Sequence, residues 1–306
     1  MISNRIAMGN QVLTLAKEDE RICIVESDIS GSVNFTPFIK EFPNRHFDCG
    51  IAEQNMVGVA AGMASCGMIP FVASFAVFAS MRALDQVRNS LCYNHFGVVV
   101  VGSHAGLETG EDGATHQAVE DMAIMRAVPG ITVLAPSTPV MTAKLTTAAA
   151  YCGGPVYLRL GRDAAEEFYG ENDGFSIGGS KTLKEGGEIA IMACGNMVSR
   201  AVHAAELLKS EGTDVTVIDM YSIKPLDRKT VIDTAKRCRA IVTVEDHSVI
   251  GGLGGAVAET VAGEGIACRV ERMGIRDKLG KSGSSHDLFE LYGLTPVTIA
   301  QRVRNL

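Results

Sequence analysis

The chain has 306 residues, 46% of them hydrophobic, and a formal net charge of -7. That length suits about two domains, each with a sizeable core. The negative balance and the lack of any basic run or basic-aromatic stripe exclude nucleic acid as a partner.

In chain order, Asn4 to Leu15 has helical spacing and Arg21 to Glu26 (RICIVE) reads as a buried strand, followed by the turn SDISGS. Ala52 to Ser65 is a helix of small residues that permits close packing. Pro70 to Ala73 is a short strand, Phe78 to Tyr93 a helix and Phe96 to Gly102 a strand. Thr132 to Leu134 is another strand. Pro136-Ser137-Thr138-Pro139 starts a helix that runs to Ala150, with proline suited to its first turn. Pro155 to Leu160 closes the first unit. From Gly161 to Gly187 the composition turns polar and glycine-rich without a sustained period, which reads as a connector.

A second alternation follows: strand Glu188 to Ala193, helix Val198 to Ser210, strand Asp214 to Asp219, helix Asp227 to Lys236. Strand Ala240 to Glu245, helix Gly252 to Ala262, strand Ala267 to Arg272 and helix Pro296 to Val303 complete it. Strands alternating with helices of this length predict an α/β fold with two parallel-sheet domains, helices on both faces of each. The boundaries are placed at 1-165 and 187-306, with 166-186 as linker.

No run approaches the roughly 18 apolar residues of a membrane span, and the amino terminus MISNRIAMGNQV lacks the apolar core of a signal peptide. Eight cysteines include no CxxC pair and read as buried free thiols of a reducing compartment. The protein is expected to be cytoplasmic, with no membrane contact.

Five groups of residues carry chemical possibilities. The stretch SHAGLETGEDGATHQAVE, Ser103 to Glu120, brackets Glu108, Glu111 and Asp112 between His104 and His116. It follows a strand, where α/β folds collect ligand sites. Its composition suits hydrogen bonding and proton transfer on hydroxyls, and its spacing fits no compact metal motif. Glu53, in GIAEQ, enters at a helix start as a dipole partner or as a partly buried functional carboxyl. Phe75 and Phe78, in SFAVF, are core residues or a clamp for a flat ring. Arg159 and Arg162 end a strand and serve either a phosphate or surface ion pairs. His247 precedes a glycine-rich turn, Gly251 to Gly255, that departs from GxGxxG and reads as tight packing rather than an anion site. His95, His203 and His286 read as structural.

Taken together, GIAEQ, SFAVF and HAGLETGEDGATHQ resemble, in order and spacing, the carboxyl-terminal half of transketolase, a thiamine diphosphate enzyme. The resemblance covers essentially the whole chain: a pyrimidine-binding domain, then the transketolase carboxyl-terminal domain. It implies that Glu53 hydrogen-bonds ring nitrogen N1′ of the aminopyrimidine. A carboxyl there favours the imino tautomer, whose exocyclic nitrogen takes the proton from thiazolium C2, and the cofactor then serves as electron sink. By the same resemblance Phe75 and Phe78 pack around the pyrimidine, a third family aromatic falls on Met81, and Asp28 aligns near the thiamine. His104, Asp112 and His116 contact sugar hydroxyls, with His116 also catalytic. Arg5, Ser32 and Arg162 hold the sugar phosphate.

The family's magnesium-diphosphate motif, GDG with a later Asn, does not occur in this sequence. Gly110-Glu111-Asp112-Gly113 belongs instead to the sugar loop. Met1 stands four residues before Arg5, as expected of a native start. The resemblance therefore implies a split enzyme. A separate amino-terminal transketolase subunit would carry the diphosphate and the Mg2+ (or Ca2+) ion, in a heterotetramer that includes self-association of this chain. The expected reaction moves a two-carbon ketol unit from a ketose phosphate to an aldose phosphate. The alternatives are a deoxyxylulose-phosphate synthase-like or 2-oxoacid dehydrogenase beta-like subunit, which VEDHSVIGGLG and IKPLD also resemble, a noncatalytic assembly subunit, and nucleotide binding at the turn near 251.

Overall fold

A computed structural model describes residues 1–306. Two twisted sheets form its frame. The first runs β10-β5-β6-β4-β3-β1-β2 and the second β12-β11-β8-β9-β7. The strands of the first are β1 (Ile22–Glu26), β2 (His46–Asp48), β3 (Ile69–Phe75), β4 (Val99–Ser103), β5 (Thr132–Leu134), β6 (Val156–Arg159) and β10 (Ser222–Lys224). The second contains β7 (Lys181–Lys184), β8 (Ile189–Ala193), β9 (Thr216–Asp219), β11 (Ala240–Ser248) and β12 (Arg269–Ile275). The central strands β1, β4, β6, β8 and β9 are buried along their whole length. Such continuous apolar runs form where helices cover both faces of a parallel sheet.

Each sheet departs from the parallel expectation at one edge. β10 pairs antiparallel with β5, and β7 pairs antiparallel with β9. The segment 166-186, expected as linker, thus supplies an edge strand. Lys181-Thr182-Leu183-Lys184 is short and lysine-flanked, a composition that suits an edge and leaves little trace in an apolar-period reading. β10, from the second half of the chain, completes the first sheet. The largest apolar core is likewise shared: Val72, Val100 and Tyr157 of the first half cluster with Ala190, Met192 and Ile241 of the second. The two halves are joined by core as well as by backbone.

The helix expected over Phe78 to Tyr93 is irregular. It consists of π-helical turns at Phe78–Arg82 and Val87–Cys92 around a short α-helical turn, Leu84–Gln86. Such widened turns concentrate at functional sites because they re-aim side chains. The helix Glu53–Ser65 packs beneath β1 and β3 through Met56, Val57, Ala60 and Ala61. All eight cysteines are free. No helix is long and apolar enough to cross a membrane.

Candidate active site

The carboxyl ends of four adjacent strands, β6, β4, β3 and β1, build one edge. Phe75 ends β3 and pairs in register with Ser103, the last residue of β4. His104 follows immediately in the left-handed region, at φ 54°, which turns the loop back across the edge. Arg162 lies just past β6 and Asp28 just past β1. Glu53 enters from the turn after β2.

Glu53 is buried as the first residue of its helix. Its Oε1 accepts from Ser74 Oγ at 2.9 Å and its Oε2 from Arg82 Nη1 at 2.7 Å. The sequence reading missed Arg82. Its guanidinium lies 4.2 Å from the Phe78 ring centroid, on the π-helical turn. An aromatic residue followed four positions later by arginine is a cation-π spacing that could have drawn notice. Asp48 Oδ1 accepts from the backbone of both Gly50, at 2.8 Å, and Asp28, at 3.1 Å. It thereby ties Asp28 to the turn that delivers Glu53. Asp28 itself is exposed and in the left-handed region.

Phe75 and Phe78 stack at 18°, with centroids 6.2 Å apart. A ring clamped between them would need contact of about 3.5 Å on each face, so they form a wall rather than a clamp. His104 lies 4.5 Å from Phe75, and His116 meets Phe78 edge-on at 5.2 Å. Both histidines of the loop therefore stand against the same aromatic wall. Met81 is partly exposed nearby in the chain.

Burial, then the charges of Arg5 and Arg162, push the His104 imidazole down to about 4, against a smaller opposing effect of Asp112. At neutral pH His104 is an uncharged ring with one donor and one acceptor nitrogen. Its Nδ1 lies 2.8 Å from Ser103 Oγ. Such a ring suits sugar hydroxyls. Asp112 is exposed at the loop's outer turn.

Arg5, Ser32 and Arg162 converge. Arg5 Nε donates to the carbonyl of Arg162 at 3.2 Å, and Arg5 Nη1 donates to the carbonyl of Ser32. Ser32 thus acts through its backbone on Arg5. Arg162 Nη1 donates to Thr109 O at 3.0 Å, within the sugar-loop stretch. Burial and the neighbouring Arg162 lower the Arg5 pKa from its ordinary value. Arginine nonetheless stays charged at neutral pH, so the two guanidiniums form a cationic corner.

Arg159 is different. It is buried, with Nε 2.8 Å from Asp121 Oδ2 and Nη2 donating to the carbonyls of Ala118 and Asp246. Tyr157 Oη donates to the same Asp121 oxygen at 2.8 Å. Arg159 is therefore a structural clamp on the return leg of the loop rather than a phosphate ligand. Buried Glu108 accepts from the backbone of Arg162 and Asp163, fixing the β6 exit against the same loop. Burial, followed by the charges of Asp163 and Asp246, raises its pKa.

The second half of the chain clasps the loop as well. Asp246 carboxylate oxygens accept from Leu107 N at 3.0 and 3.1 Å and from Asn196 Nδ2 at 2.9 Å. Gly106, at φ 69°, has no space for a Cβ beside that carboxylate. Gln117 Nε2 donates to Lys281 O at 2.9 Å. Sequence periodicity could not show these contacts, because they join residues 50 to 164 positions apart.

At the glycine-rich turn, Glu245 accepts from Leu253 N at 2.7 Å and Gly254 N at 2.8 Å. The chain's own carboxylate occupies the amino end of the helix Leu253–Gly263, and a side chain at Gly252 would collide with it. That leaves no anion site there, so the nucleotide reading of this turn falls. No group of three or more His, Cys, Asp or Glu residues stands together as a metal set.

Residues 1–167 match the transketolase pyrimidine-binding domain and residues 178–299 the transketolase C-terminal domain. The chain belongs to the transketolase family. It is 43% identical over 302 residues to a putative transketolase C-terminal section of Methanocaldococcus jannaschii, covering 98% of this chain and 94% of that one. It is 41% identical over 293 residues to the 6-deoxy-6-sulfo-D-fructose transketolase subunit SqwH of Clostridium sp. (strain MSTE9), covering 95% of this chain and 90% of that one. The solved structure of a split gene transketolase, described as an inactive beta4 tetramer, superposes with a TM-score of 0.93 at 41% identity, covering 100% of this chain and 98% of that one. This transketolase chain is thus similar along its whole length to carboxyl-terminal sections of split transketolases.

Proposed function

We propose that this transketolase chain supplies the pyrimidine and sugar half of a thiamine diphosphate-dependent active site, completed by a separate amino-terminal subunit that carries the diphosphate and a Mg2+ or Ca2+ ion. The reaction is transfer of a two-carbon ketol unit from a ketose phosphate to an aldose phosphate. One observation carries the reading: the buried Glu53 carboxylate, the Phe75-Phe78 wall and both loop histidines stand on one sheet edge. A cationic corner of Arg5 and Arg162 lies close enough to shift His104.

The residues fit the cofactor's pyrimidine: a carboxylate beside an aromatic wall meets a flat, basic ring. When bound, thiamine diphosphate supplies a nucleophilic carbon and an electron sink. Glu53 binds N1′ and thereby sets the tautomer. Phe75 and Phe78 exclude water from one face of the ring. Neutral His104, together with the imidazole of His116 and the carboxyl of Asp112, orients sugar hydroxyls and moves protons at the hydroxyl oxygens. Arg5, steered by the Ser32 carbonyl, and Arg162 hold the terminal anionic group by charge-assisted hydrogen bonds. Asp28 borders the thiamine through its tie to the Glu53 turn. The assembly is a heterotetramer in which copies of this chain also meet each other, and its compartment is the cytoplasm.

A deoxyxylulose-phosphate synthase-like role is not favoured, since relatives matched along nearly their whole length are split transketolase sections. The test is Glu53→Gln in the two-chain enzyme. Ketol transfer should fall by about a hundredfold or more, the range of a lost general acid-base contribution. Unchanged activity would overturn the reading and favour a noncatalytic assembly role.

A further inference from the structure

Arg82 is the charged side chain that touches both halves of the pyrimidine subsite. Its Nη1 lies 2.7 Å from Glu53 Oε2 and its guanidinium carbon 4.2 Å from the Phe78 ring centroid. Glu53 is 2% exposed and Arg82 44%. We propose that Arg82 is a positioning residue: it fixes the plane of the Glu53 carboxylate against Phe78, so that the free lone pairs of the carboxylate point at the pyrimidine ring. The inference rests on the functional reading above and goes beyond it by assigning a residue that never meets the sugar.

The geometry requires such a brace. A carboxylate held by one hydrogen bond can rotate about its last torsion, which is broad and weakly restrained. Ser74 restrains Oε1 and Arg82 restrains Oε2, and two contacts on different oxygens fix a plane. Each oxygen keeps a lone pair free for the ring nitrogen. The guanidinium is held in turn by stacking on Phe78, so carboxylate and aromatic wall keep their mutual angle. The π-helical turn Phe78–Arg82 sets this spacing. A cation here also offsets the cost of a buried negative charge. Lysine could supply the charge but neither the planar fork nor the stacking.

The experiment uses this chain with its amino-terminal partner, thiamine diphosphate and magnesium, as wild type, Arg82→Met and Arg82→Lys. Cofactor affinity is read by calorimetry, the imino-tautomer band by near-ultraviolet circular dichroism, and kcat and KM by ketol transfer. Arg82→Met should lower kcat about tenfold to a hundredfold and deplete the imino band, while sugar KM stays within about threefold. Arg82→Lys should restore part of the band and of kcat. Loss confined to sugar KM, or an Arg82→Met enzyme with wild-type band and kcat, would overturn the proposal and leave the role of Glu53 standing. A wild-type complex that binds no cofactor would overturn both. A thermal melt of each variant chain separates loss of fold from loss of aim: a Met variant that melts like wild type yet lacks the band supports the positioning role, and one that unfolds hands the decision to Arg82→Lys.

Discussion

Removing Asp121 should both destabilise the chain and loosen the sugar loop. Asp121 is 0% and Arg159 6% exposed, and they form an ion pair of 2.8 Å. Burial opposes the charge of Arg159, yet Asp121 and then Asp246 hold its pKa above the ordinary value. In Asp121→Ala the guanidinium would keep only the carbonyls of Ala118 and Asp246, and the Tyr157 hydroxyl would lose its acceptor. Breaking one side of a buried pair costs about 3–5 kcal/mol. The double variant Asp121→Ala/Arg159→Met removes the stranded charge and leaves only neutral groups short of a partner. It should therefore be more stable than the single variant by about 2 kcal/mol. Urea unfolding followed by circular dichroism measures both. Ala118 closes the loop two positions after His116, so the single variant should also lose ketol-transfer activity in the two-chain enzyme under conditions where it remains folded. A single variant within about 1 kcal/mol of wild type, or a double variant less stable than the single, would refute the view that this pair clamps the loop.

Two further outcomes follow from the cationic corner. The folded pKa of His104, about 4, lies below its ordinary value of 6.5, so between these values the unfolded chain binds more protons than the folded one. The contribution is fully present above pH 6.5 and is lost as pH falls towards 4, to a total of about 3 kcal/mol. His104→Asn should flatten that part of the pH dependence of unfolding free energy, and an unchanged slope would show that His104 is not buried as described. Arg162→Ala should raise KM for a phosphorylated ketose about tenfold or more while leaving KM for its unphosphorylated analogue nearly constant. Equal effects on both would place the anion elsewhere.

Much of the fold was legible because buried parallel strands are continuous apolar runs: RICIVE, Val98 to Val101 and Ala240 to Val244 all lie in or against strands. The edges were not. β7 and β10 are short, polar-flanked and antiparallel, so neither apolar period nor helix alternation marks them. The candidate site residues were singled out by motif, and the structure brings Glu53, Phe75, Phe78, His104 and His116 to one edge. What the motifs could not show was support. Arg159 looked like Arg162 in sequence, a cation at a strand end, yet β6 turns it inward to Asp121 while Arg162 lies past the strand's end. Arg82 stands four positions after Phe78, a spacing that hints at their contact, but its Glu53 partner lies 29 positions away. Ser32 was read as one of the residues that hold the sugar phosphate, and in the structure its carbonyl accepts from Arg5. In each case the deciding quantity is a long-range hydrogen bond that sequence spacing does not encode.

The most direct test of the central claim is ketol transfer measured with this chain alone, with its amino-terminal partner alone, and with both, each supplied with thiamine diphosphate and magnesium. The account predicts turnover only from the mixture, with loss of that turnover when Glu53 becomes Gln. Turnover by either chain alone, or a mixture indifferent to Glu53→Gln, would contradict it.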